Sequence, residues 1–335
     1  MTESKKPKKE LFVFKNFLLI ILGLALTPEV LSLSPWPAKP SGIHIPLKDF
    51  ESSGAVYDPD TDLVYVVHDQ GSIASISKDG QKIRYVKISK HLDLEAIAST
   101  ANNSGFLYVG VERKEVCYFD RRSIKICNQK KAQIWQIDIN TLQPTNRKWV
   151  LDMRTGYTRG LEGLTWIPNG SHPYEDSKSG GVFYASSQKN GHVYVYEIDF
   201  KVEPNKTHKL ITAIDEFQPF DGYSNNDISD LYFDPSQNIL YALYDKKDKL
   251  VEIDTSTKYH RILNSYNLPG KSGKHEGITL LPSCYTGSTS TTIYLTDDRK
   301  NRGLYLYTAF PTSCSKKSSL VSFKIPHSSS KRINR

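Results

Sequence analysis

The 335-residue chain carries four cysteines and two methionines, and several common signatures are missing from it. No CxxC pair and no Cys/His spacing of a zinc site occurs, which excludes the usual structural zinc modules. Helix-turn-helix, zinc-finger and RNA-recognition signatures are missing too, so nucleic acid is not the expected partner. The formal net charge of +8 does not argue otherwise. Lys5, Lys6, Lys8, Lys9 and Lys15 against Glu3 and Glu10 put three of those charges into the first 26 residues. More lie between Lys316 and Arg335, so no basic patch on a folded face is expected. The uninterrupted apolar run Phe17–Leu26 is short for a bilayer span and has the length of a signal-peptide core.

Strand chemistry is abundant. Twenty tyrosines, frequent isoleucine and valine, and Asp-Gly, Asn-Gly and Asp-Pro punctuation favour strands and tight turns. At 38% hydrophobic and 11% aromatic the chain can bury a core. Five copies of one pattern then align. Their heads are Ser53-Gly54-Ala55, Glu95-Ala96-Ile97, Glu162-Gly163-Leu164, Ser229-Asp230-Leu231 and Glu276-Gly277-Ile278. Each is followed by a strand around Tyr65, Tyr108, Tyr184, Tyr241 or Tyr294 and then by an alternating third strand. A fourth strand is expected in most copies, for example in "KWVLDM", "KLITAID" and "LVSFKI".

Four antiparallel strands per repeat are the signature of a propeller blade, a small sheet that hides its faces only by closing radially with its neighbours. The expected fold is therefore all-β: a single β-propeller of five four-stranded blades, with six as the alternative if the region near 200–225 hides one. "GIHIPLKDF" (42–50) would close the ring against the last blade. The expected organisation is a signal peptide or anchor with a basic start over 1–34, a linker and closing strand over 35–47, the propeller over 48–326 and a basic tail over 327–335.

Radial closure predicts the site. The start of each first strand and the end of each second strand share one mouth of the central channel. This gathers Glu95, Glu162 and Glu276 with Ser53 and Ser229, and with Asp69, Glu112, Gln188, Asp245 and Asp298, four residues beyond the aligned tyrosines. Asp93, Asp227 and Asp230 lie nearby. Crowded carboxylates raise one another's pKa unless a cation intervenes. Oxygen ligands point to calcium or magnesium, with Glu95, Glu162 and Glu276 as the expected ligands. The alternative is that such acids accept backbone N–H groups of the next blade and serve closure alone. His68 and His275 precede acids at the same mouth and are the candidate general bases for a metal-polarised ester, lactone or phosphoester. Arg113, Arg159 and Arg299 would attract an anion there or balance the acids.

Export is the expected destination. The four cysteines suit an oxidising compartment; of the three possible pairings the local one, Cys117 with Cys127 and Cys284 with Cys314, is favoured because each pair brackets a hairpin-sized insertion, and the sequons at Asn102, Asn169 and Asn205 fall in polar stretches. The motifs "DLEAIA", "GLEGLTW", "DISDLYF" and "HEGITL", in this order over about residues 48–310, resemble the SdiA-regulated propeller family, a relative of phytase-like and esterase-like propellers. The resemblance implies a five- or six-bladed propeller, exported or membrane-anchored, with a calcium in the channel and no settled activity. Asp230, where a small residue is usual, and Gln188, where an acid is usual, depart from the family pattern. The expected partner is a small molecule or protein at the channel mouth, with the membrane engaged only through the N-terminal segment.

Overall fold

Turns and strands follow the sequence pattern closely. In the first copy the Asp58 carboxylate accepts the backbone N–H of Thr61 at 2.9 Å and its hydroxyl at 2.8 Å, closing the turn after an apolar strand. The computed structural model describes residues 34–100, 105–120, 122–156, 159–201, 208–219, 227–270, 274–282 and 288–312. By internal contacts the chain divides into Met1–Leu31 and Ser32–Arg335, and every described residue belongs to the second unit. Among the described residues no helix is long and apolar enough to cross a membrane.

The strands run in chain order as follows. After β1 (Ile43–Ile45), blade 1 comprises β2 (Ser52–Asp58), β3 (Leu63–His68), β4 (Ser72–Ser77) and β5 (Ile83–Lys87). Blade 2 has β6 (Leu94–Ser99), β7 (Phe106–Phe119), β8 (Lys125–Asp138) and β9 (Pro144–Leu151). Next come β10 (Leu161–Pro168), β11 (Gly181–Ser187), β12 (Val193–Tyr196), β13 (His208–Ile211) and β14 (Asp215–Phe217). Blade 4 is β15 (Asp230–Asp234), β16 (Ile239–Tyr244), β17 (Lys249–Asp254) and β18 (Ile262–Asn267). Finally β19 (His275–Leu280), β20 (Ser290–Asp297) and β21 (Gly303–Pro311) form blade 5.

Five sheets result, so the fold is a five-bladed propeller. The ring closes as expected: β1 pairs antiparallel with β21, Ile43 opposite Leu306 and Ile45 opposite Leu304, and so supplies the fourth strand of the last blade. The expected strand "LVSFKI" lies outside the described residues. "KLITAID" behaves differently from the expectation. Its strand β13 leaves blade 3 and adds to blade 2 beside β9, while β14 completes blade 3 against β12. The physical reason lies in β7 and β8, whose hairpin runs on past the blade and pairs Tyr118 and Phe119 with the start of β13.

The core is divided among five blade interfaces. Between blades 2 and 3, for example, Tyr108, Leu151, Leu161, Trp166 and Phe183 are all buried. Phe183 packs against Tyr108 and Trp166 with ring centroids at 5.2 and 4.8 Å. Truncating one such ring to alanine costs about 3–5 kcal/mol. Polar bonds tie the first strands together. Thr165 Oγ1 accepts the N–H of Phe233, and Thr279 Oγ1 accepts that of Tyr57, both between neighbouring blades.

Candidate functional site at the channel mouth

Four of the five strand heads enter their sheets through a bulge. Pairing skips between Ser52 and Ala55, Leu94 and Ala96, Leu161 and Leu164, and His275 and Ile278. The residues released from the ladder include Ser53, Glu95, Glu162 and Glu276, those predicted to face the channel. A bulge re-aims a side chain that regular pairing would send to a sheet face. It also needs close approach at the axis: a Cβ on Gly163 would lie 2.7 Å from both the backbone nitrogen of Leu231 and Ser186 Oγ. Blade 4 is the exception, pairing in register from Asp230 onward, with Ser229 Oγ donating to the carbonyl of His275 in the next blade.

The glutamates act on one another. Burial, then Asp93, Glu276 and Glu112, pushes Glu95 well above the ordinary carboxylate range. Glu95 keeps partial exposure even though protein surrounds it. Glu162, 6% exposed, is pushed up by burial and then by Glu95, Glu276 and Glu112. Glu276 is pushed up to about 8 by burial and by Asp245, Asp298 and Asp227. Asp245 is pushed up to about 6, mainly by burial. Cations reach only part of this group: Lys246 bonds Asp227, and Lys274 lies 3.3 Å from Asp298. Arg299 is spent on Asp297, at 2.8 and 2.5 Å, and does not offer a free anion site. Asp227 Oδ1 and Asp245 Oδ1 are buried without a hydrogen-bond partner.

Asp230 plays a different part. Fully buried, it accepts the N–H of Leu231 at 2.8 Å and of Ile278 at 2.9 Å, and more weakly that of Ala55 at 3.4 Å. One carboxylate thereby joins blades 4, 5 and 1 at the axis. Burial outweighs these donors and raises its pKa well above the usual value. This is the closure role weighed as the alternative for the acids generally, and it falls to the residue that departs from the small-residue pattern.

The two histidines answer to other charges than the channel glutamates do. His275 is held below its ordinary pKa by burial, against the pull of Asp297 and Asp248, and its Nδ1 has no partner. The charges that act most on Glu276 are Asp245, Asp298 and Asp227, so these consecutive side chains sense different surroundings. His68 Nδ1 sits 2.5 Å from Asp69 Oδ1, and its ring lies on Phe50 with centroids 4.6 Å apart. Against the burial that would raise it, the His68 contact holds the Asp69 carboxyl low. Glu51 joins this pair, and the ligand atoms of Glu51, His68 and Asp69 lie within 4.8 Å of one another, the one such triple among the described residues. Glu95, Glu162 and Glu276 do not approach that closely. Sequence reasoning passed over Glu51, yet the β2–β3 register was the available signal: Ser52 opposite His68 sets Glu51 opposite Asp69.

Other expectations fare as follows. Cys117 is disulfide-bonded, and hairpin pairing of Val116 with Gln129 and Tyr118 with Ile126 sets it across from residues 127 and 128. Cys284, Cys314, Asn102 and Asn205 lie outside the described residues. Asn169 gives its Nδ2, the atom a glycan would occupy, to the carbonyl of Ser177 at 2.9 Å. On the mouth side of blades 2 and 3 a cleft of about 700 Å³ is lined by Lys131, Arg154 and Lys189 and by Asp152, Asp215 and Glu216, charges that balance one another.

A five-bladed propeller with an acid-lined channel mouth is the class these observations define. The SdiA-regulated family model matches residues 43–280, and the chain belongs to that family. Among solved structures, the glutaminyl cyclase of Myxococcus xanthus is similar at 13% identity over 81% of this chain and 95% of that one, with a TM-score of 0.51. A luciferin-regenerating enzyme is similar at 10% identity over 82% and 99%, TM-score 0.43. The major allergen Mala s 1 of Malassezia sympodialis is similar at 14% identity over 78% and 76%, TM-score 0.43. At these identities the first likeness speaks to the fold alone. No protein of curated function matches the chain.

Proposed function

We propose that the chain is an exported propeller that binds a ligand or partner at its channel mouth, with calcium held among the mouth carboxylates. The supporting observation is the mutual elevation of Glu95, Glu162 and Glu276, buried acids with like charges among their nearest ionisable neighbours. A divalent cation relieves that repulsion, and the unpartnered oxygens of Asp227 and Asp245 are hard donors of the kind it takes. Glu95, Glu162 and Glu276, which stand too far apart for all three to ligate one ion directly, would hold it through bridging water. Export is supported by the apolar N-terminal run, the sequons at Asn102 and Asn205 and the disulfide at Cys117, which we pair with Cys127. The test is thermal melting of chelator-stripped protein with and without calcium. An upward shift that Glu162→Gln abolishes is expected; an unshifted melt overturns the metal site.

A second reading, a calcium-dependent hydrolase of phosphoester, ester or lactone substrates, has one observation in its favour. His275 is held neutral by burial and keeps Nδ1 unbonded, as a general base requires. It predicts turnover that His275→Ala removes while the calcium-dependent melting shift survives. A calcium-responsive protein that cleaves none of these esters leaves the binding reading standing alone.

A further inference from the structure

Blade 2 differs from the others in its two middle strands. β7 and β8 run for 14 residues each, whereas β3, β11, β16 and β20 have six to eight. The surplus forms a hairpin braced by the disulfide at Cys117 and by pairing with β13. Between Arg113 and Lys131 the sequence holds seven cations against two acids, a net +5. Lys114, Arg122, Lys125, Lys130 and Lys131 of this run lie on the hairpin strands or their turn, a local concentration of charge that the composition of the whole chain did not foretell.

The details sharpen its chemistry. At the tip, Asp120 accepts the N–H of Arg122 at 2.9 Å and of Ile124 at 2.8 Å, and Ser123 takes a positive φ of 61°. These bonds fix a tight turn that leaves Ile124 51% exposed, between the exposed Arg122 and Lys125. On the flank, Lys148 lies 3.5 Å from the centre of the Trp135 ring and Lys114 5.6 Å from it. Burial and then Lys114 hold the Lys148 pKa below its ordinary value, as expected where two like charges share one indole.

A nucleic acid would reward the cations and leave Ile124 in water. An anionic bilayer rewards both, because basic side chains are attracted to its surface and an apolar tip enters the headgroup boundary. We propose that this hairpin docks on an anionic lipid membrane, Ile124 entering between Arg122 and Lys125, with Lys114, Lys130 and Lys148 held over the surface. The hairpin continues β7 beyond Glu112, on the mouth side of blade 2, and the proposed contact requires nothing to be bound among the channel glutamates.

The apolar N-terminal run could itself hold the chain to vesicles, so the readout must belong to the tip. Full-length protein carrying Ile124→Trp is mixed with vesicles of phosphatidylcholine, alone or with phosphatidylserine, whose acyl chains are brominated. Quenching of the added tryptophan in the phosphatidylserine vesicles only, weakened by salt, is expected. Arg122→Ala and Lys125→Ala should each lower the affinity about fivefold, the equivalent of one surface cation, with unchanged melting. Equal quenching in both vesicles, no quenching in either, or preference for RNA or heparin over the anionic vesicles overturns the proposal.

Discussion

Replacing Asp230 by alanine removes a carboxylate that ties blades 4, 5 and 1 together at the axis. Two of its hydrogen bonds are short, to Leu231 at 2.8 Å and Ile278 at 2.9 Å, and the third, to Ala55 at 3.4 Å, adds little. Stranding two buried backbone N–H groups costs about 1–3 kcal/mol each, so roughly 2–6 kcal/mol in all. Part is returned because an acid whose burial raises its pKa no longer has to be accommodated. At about 2–4 °C per kcal/mol, the melting temperature should fall by roughly 5–15 °C. Asp230→Asn keeps the shape but offers one acceptor oxygen in place of two, and should fall about half as far. The pH dependence gives a sharper test. An acid whose folded pKa lies above its unfolded value stabilises most below the unfolded pKa, near 3.9, and loses that contribution as pH rises. The gap between wild type and Asp230→Asn should therefore be widest near pH 4 and narrow as pH rises. Scanning calorimetry across that range measures it. An alanine variant as stable as wild type, or a gap that widens with pH, would refute the rivet role of this residue.

Further outcomes follow from the same geometry. Glu276, raised from 4.5 to about 8, contributes stability that is present below pH 4.5 and drains away up to about pH 8 in the metal-free protein. Glu276→Gln should flatten that decline in melting curves recorded with chelator, and an unchanged slope would count against it. Gly163→Ala drives a Cβ to 2.7 Å from backbone and side-chain atoms of its surroundings and should destabilise by about 1–3 kcal/mol in urea unfolding, a typical overpacking cost. Breaking the dyad with His68→Ala should raise the Asp69 pKa, readable by carboxyl NMR titration, because the contact with His68 holds that acid low.

How much of this the sequence disclosed depends on whether the signal was periodic. The five heads and their tyrosine strands recur in order, so blade number and the closing strand at Ile43–Ile45 were legible before any coordinates. The bulges were not, because releasing Glu162 or Glu276 from the ladder leaves no mark in an alternation count, only in the glycine that follows. The exchange of β13 into blade 2 was hidden for a related reason: a long neighbouring hairpin captured a strand whose own sequence says nothing of its destination. Departures from the repeat proved more informative than the repeat itself. Asp230 interrupts a run of small residues, and at that position the ring is fastened by hydrogen bonds from its neighbours. Glu162 keeps to the pattern, between two close-packed glycines, where burial and the neighbouring Glu95, Glu276 and Glu112 raise its pKa instead of any backbone donor lowering it.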